Sequence, residues 1–78
     1  MPQWARSIEM NKITRGEICM ANGYVFFEEG VTLFFKDKAP LRIYNDGSVE
    51  KLTDNMSGYT NPEQLETAVA DAISYLGL

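Results

Sequence analysis

The chain has no histidine, one cysteine and three prolines among its 78 residues. Without histidine, general acid and base catalysis lacks its usual agent, and a mixed Cys/His metal site is excluded. Cys19 has no partner for an internal disulfide, so the two usual staples of a small core are missing and stability must come from packing or assembly. The longest apolar runs, 24–27 and 33–35, fall far short of the roughly 20 residues of a membrane span. The start MPQWARSIEMNK has no apolar signal core. These absences lead us to expect a cytoplasmic protein with no cofactor, no metal and no membrane partner.

Cations are also scarce. Seven Lys and Arg against eleven Asp and Glu give a net charge of −4, so general attraction to nucleic acid is not expected. What remains is an ordinary globular balance of 45% apolar, 23% charged and 12% aromatic residues. The length suits a single domain over 1–78 and leaves no room for a two-domain enzyme.

Turn residues organise the first two thirds of the chain. Thr14-Arg15-Gly16, Glu28-Glu29-Gly30 and Asn45-Asp46-Gly47 each read as a three-residue hairpin loop ending in a left-handed glycine. Asn22-Gly23 carries the two-residue hairpin signal, and a loop spans Lys36 to Pro40. These divisions predict five to six short antiparallel strands within 7–52. Carrying one parity through every turn collects Ile8, Met10, Ile18, Met20, Val25, Phe27, Val31, Leu33, Phe35, Leu41, Ile43 and Val49 on a core face. The same register sets Arg42 opposite Glu50.

The C-terminal segment predicts a helix over about 62–76. Asn61 suits the N-cap and Pro62 the first helical position, while Leu65, Ala68, Val69, Ala72, Ile73 and Leu76 form a continuous apolar stripe. Gly77 suits the C-cap. Thr53 to Thr60 is expected to carry the chain across one sheet face. The fold class is therefore α+β, an antiparallel meander packed on one C-terminal helix.

One helix covers one sheet face, and the second parity is rich in rings. It holds Ile13, Cys19, Ala21, Tyr24, Phe26, Phe34 and Tyr44, bordered by Thr32, Lys36, Arg42, Glu17, Glu28 and Glu50. Exposed aromatic clusters mark interaction sites, and Tyr, Phe and Arg are enriched where proteins meet. The expected partner-binding set is Tyr24, Phe26, Phe34, Lys36, Arg42 and Tyr44. Three occupants compete for this face: a foreign protein, a second copy in a homodimer, or the chain itself through sheet curling or the segment containing Trp4. A sheet that stacks single-stranded nucleic acid is a further alternative, opposed by the bordering carboxylates. Glu63, Glu66 and Asp71, with Tyr75, form a secondary acidic strip away from the helix stripe, either solvated or turned toward a basic partner.

No catalytic constellation emerges. Cys19 reads as a packed mid-strand residue, and Glu17 facing Glu28 would make a carboxylate pair without a cleft. In size, acidic balance and the order of a meander followed by TNPEQLETAVADAISYL, the chain resembles the compact accessory and inhibitor proteins of phages, anti-CRISPR proteins among them. That likeness is one of general form and assigns no site residue. It implies a non-catalytic interaction module that occludes a larger complex.

Overall fold

The structure is a computed structural model that describes residues 13–53 and 56–78. Among these residues a short helix α1 (Arg15–Cys19) precedes strands β1 (Gly23–Phe27), β2 (Gly30–Phe34), β3 (Leu41–Tyr44) and β4 (Val49–Lys51). Helix α2 (Pro62–Leu76) follows. The strands pair antiparallel in the order β1-β2-β3-β4, a simple meander. The α+β class holds, and the described residues contain four strands where five to six were expected over 7–52. Ile8, Met10 and the segment 2–7 lie outside the described residues.

The strand expected between the Thr14-Arg15-Gly16 and Asn22-Gly23 turns is absent because Arg15–Cys19 is helical. Thr14 is its N-cap: the Thr14 hydroxyl accepts from the Glu17 amide at 3.1 Å, and the Thr14 amide donates to Glu17 Oε1 at 2.9 Å. Thr-Arg-Gly-Glu is thus a capping box, which satisfies amides that the first helical turn leaves without partners. Gly16 is helical here and not a left-handed loop residue. Ile18 anchors the turn in the core, while Met20 and Cys19 are exposed, against the expectation that Met20 was core and Cys19 packed. Ala21 is buried in the same core and Ile13 packs against it, so neither lies on the second face.

Directly opposed residues of an antiparallel pair share a sheet face. The register Tyr24↔Leu33↔Leu41 and Phe26↔Val31↔Ile43↔Val49 therefore defines the face beneath α2. Gly23, Val25, Phe27, Gly30, Thr32, Phe34, Arg42, Tyr44 and Glu50 occupy the opposite face. β2, β3 and β4 take the expected parity, and β1 takes the reverse one. The cause is the β1–β2 turn, where Phe27 pairs with Gly30 and only Glu28 and Glu29 lie between the strands. Gly30 belongs to β2 because β3 leaves it no space for a side chain. A Cβ there would strike the Ile43 carbonyl oxygen and lie 2.9 Å from Tyr44 Cα.

The β3–β4 hairpin matches expectation in full. Gly47 has φ 93°, Asp46 Oδ1 accepts from the Ser48 amide at 2.9 Å and hydroxyl at 2.6 Å, and Arg42 stands opposite Glu50. α2 matches as well. Asn61 Oδ1 caps the Glu63 and Gln64 amides, and Gly77 closes the helix at φ 71° with the Leu78 amide donating to the Ile73 carbonyl. Ala68 and Ala72 are fully buried at its centre, and Leu65, Val69, Ile73 and Leu76 flank them against Val31, Leu33, Leu41 and Ile43. Full burial of an aliphatic side chain is worth about 1.5–3 kcal/mol, so Leu33, Ile43, Val31 and Ile18 carry much of the core. Tyr75, expected on the solvent side, also packs against this core.

Two glycine substitutions test these assignments with opposite signs. A Cβ at Gly16 meets only Thr14 Oγ1 at 3.8 Å, so Gly16→Ala should raise stability by about 0.4–1 kcal/mol in urea denaturation. A left-handed loop residue would lose stability on the same change. Gly30→Ala should lower it by about 1–3 kcal/mol or more through overpacking against β3.

The capping box also sets an acid limb. The Thr14 amide first, and Lys38 Nζ at 3.2 Å second, hold the Glu17 carboxyl below its ordinary value of 4.5. A carboxyl depressed in the native state stabilises fully above its unfolded value and loses that contribution as the pH falls through the native one. The stability gap between the wild type and Glu17→Ala should stay constant above pH 4.5 and narrow on further acidification, read by urea titrations across pH. A gap that persists unchanged in acid would show that the cap does not depend on the carboxylate charge.

Candidate protein-contact face

α2 covers one side of the sheet, and the other side holds the candidate site. Its centre is a consequence of Gly30. Phe27 of β1 and Tyr44 of β3 flank this glycine on the same face, and across the missing side chain their rings meet edge to face at 5.6 Å. Such T-shaped pairs add about 0.5–1.5 kcal/mol beyond burial. Arg42 lays its guanidinium carbon 5.5 Å from the Phe27 ring centroid. Its Nη1 donates to Glu50 Oε1 at 3.3 Å, and the Tyr44 hydroxyl donates to the same oxygen at 2.9 Å. Glu50 thus orients both neighbours.

These groups remain half in water. The Arg42 and Glu50 side chains are 36% and 53% exposed, so their ion pair is worth no more than about 1 kcal/mol. Its consequence is geometric: it fixes the ring and guanidinium that frame half-buried Val25 and Phe27 and buried Thr32. The charges of the pair cancel, leaving a surface with an aromatic centre and a neutral polar rim.

The expected contact set does not assemble on this face as a unit. Tyr24 is 6% exposed and lies with Phe26 under the helix side, their rings 5.2 Å apart, because β1 has the reverse parity. Phe26 keeps 40% exposure at the outer strand. Phe34 does lie on the open side but is only 4% exposed, sealed beneath Gly58. Arg42 and Tyr44 stand where expected. Lys36 is exposed beyond the end of β2, on the wall of a shallow depression of ≈ 290 Å³ whose floor includes Phe34, Pro40, Leu52 and Met56. Phe27 and Val25 belong to the face in place of Tyr24 and Phe26.

Glu17 does not face Glu28; it caps α1 and pairs with Lys38, whose Nζ also sits 4.6 Å over the Phe35 ring. On α2, Glu63 and Glu66 are exposed and Asp71 is half-buried. The charge of the chain is segregated accordingly: all seven cations fall in residues 1–51, where seven carboxylates balance them, and four carboxylates in 52–78 carry the whole excess. No cluster of three His, Cys, Asp or Glu suited to a metal ion occurs among the described residues. No helix among them is long and apolar enough to cross a membrane. Comparison with family models, with curated proteins and with solved structures found no match.

The two open-side phenylalanines should respond differently to truncation. Phe34→Ala should cost about 3–5 kcal/mol, as for a buried ring, and Phe34→Asp more. Phe27→Ala, half-exposed, should cost well under half of that in the same denaturation series. Equal losses would place Phe27 in the core and remove it from the contact face.

Proposed function

We propose that the chain is a non-catalytic protein-interaction module that docks through Phe27, Val25, Arg42 and Tyr44. The observation that carries this reading is the Phe27–Tyr44 pair with Arg42 alongside, held in place by Glu50 on the sheet side that α2 leaves uncovered. Aromatic anchors and an arginine framed by a polar rim are the composition of protein contact centres. The partner that fits is a folded protein surface with an apolar centre and little net charge, because Arg42 and Glu50, the charged strand residues of this face among the described residues, neutralise one another. At this size binding would act by occluding part of something larger, the mode of the phage inhibitor and anti-CRISPR proteins that the chain resembles in general form.

The geometry gives less support to nucleic acid. Arg42 is committed to Glu50, and Lys38, the cation beside Lys36, is committed to Glu17. A homodimer through the same face uses the same residues, and solution mass distinguishes it from a foreign partner.

The test is light scattering on the wild type, followed by reconstitution with a purified partner identified by mass spectrometry. The expected result is a monomer whose binding falls at least about tenfold, roughly 1.4 kcal/mol, in Phe27→Asp and in Tyr44→Ala, with both variants still folded. A stable dimer dissociated by Phe27→Asp would assign the face to a second copy. Salt-sensitive binding of fluorescent oligonucleotides lost on Arg42→Ala would replace the reading with the nucleic-acid one.

A further inference from the structure

We infer that Met56–Thr60 is a strap that opens locally, uncovering Phe34, while the sheet and α2 stay folded. The strap follows β4 and reaches the outer side of β1. There it is fixed by one isolated bridge, in which the Tyr24 amide donates to the Tyr59 carbonyl at 3.0 Å and the Tyr59 amide donates to the Tyr24 carbonyl at 2.9 Å. Its own side chains contribute little to the core: Met56 is 47% and Tyr59 68% exposed, and Ser57 and Thr60 are exposed too. What it covers is the Phe34 ring, and it does so through Gly58, where a Cβ would lie 2.5 Å from one ring carbon and 2.6 Å from another and would strike the Tyr24 carbonyl oxygen.

Phe34 is on the open side of β2, opposite the face packed by α2, so lifting the strap removes no contact between helix and sheet. A segment held by two edge hydrogen bonds with few buried apolar side chains belongs to the low-stability end of the openings a fold undergoes. The cost of opening is the wetting of the Phe34 ring, the exchange of two hydrogen bonds for water and the loss of the Tyr24–Tyr59 ring contact at 6.0 Å. The consequence is that Phe34 joins Thr32 and Arg42 on the side that carries Phe27 and Tyr44, enlarging its apolar area. The strap acts in the chain by itself, whatever occupies that face.

Native-state hydrogen exchange on the full chain tests this. The Tyr24 and Tyr59 amides should exchange at least about tenfold faster than those of Val31 and Ile43, with little dependence on low denaturant. Gly58→Ala should displace the strap: protection at Tyr24 and Tyr59 is lost, Val31 and Ile43 remain protected, and binding of a hydrophobic dye rises as Phe34 is uncovered. Exchange of all four amides in the wild type with one common rate and denaturant slope would overturn the inference. So would global unfolding of Gly58→Ala, which would make the strap integral to the sheet.

Discussion

The approach of β3 to Gly30 is the contact on which the arrangement of this sheet turns. Opposite Tyr44 the backbone of β3 comes so close that no side chain fits, and the glycine must therefore lie within β2. Once it does, only Glu28 and Glu29 remain to reverse the chain, and the parity of β1 is settled. Tyr24 turns toward the helix and becomes core; Phe27 turns away and meets Tyr44 in the space above the glycine. The Asn45 amide, donating to the Glu29 carbonyl at 2.8 Å, ties this turn to the β3–β4 loop. One missing Cβ thereby places a core tyrosine on one face and an aromatic pair on the other.

That dependence also explains what the sequence made legible. α2 was readable because cap, proline, stripe and terminal glycine agree over 15 residues, and the β3–β4 hairpin because Gly47 has the positive φ its loop type requires. The β1–β2 turn was not readable by the same rule. Two-residue hairpins favour positive φ at both loop positions, Glu-Glu offers neither, and neither Glu28 nor Glu29 adopts one. The glycine next in line therefore reads as the third loop residue, and a shift of one residue exchanges the faces of the whole strand. Arg42, Tyr44 and the Arg42–Glu50 pair survived because they lie beyond that error, whereas Tyr24 and Phe26 did not. α1 was missed for a different reason. Thr14-Arg15-Gly16 satisfies a turn pattern, but the Glu17 that follows completes a capping box, and the reciprocal bonds favour a helical turn.

The two sides of the sheet differ in kind. Beneath α2 the centre of the sheet is aliphatic and dry, with Leu33, Ile43 and Val31 almost wholly excluded from water and alanines letting the helix approach closely, and the rings of Tyr24 and Phe26 lie at the β1 edge. On the other side the same strands carry rings, a hydroxyl and one neutralised ion pair, covered at one end by Gly58 and half-open at the other. Stability is thus concentrated on the helix side and at Phe34, while the half-exposed end of the open side, with Phe27 and Tyr44, can vary in exposure without loss of the fold.

Charge is distributed unevenly along the chain. The excess carboxylates lie in the C-terminal third, where Glu63 and Glu66 stay in water on α2, and the candidate face carries Arg42 and Glu50 in mutual contact. Net charge favours solubility, and the carboxylates on α2 impose no sign on the proposed contact, which lies on the other side of the sheet. If the proposed docking is right, its salt dependence should be shallow, since association would wet or dry rings and hydroxyls more than it would neutralise charges. A steep dependence would move the contact from the sheet to the acidic helix, where Glu63 and Glu66 are exposed to a basic partner.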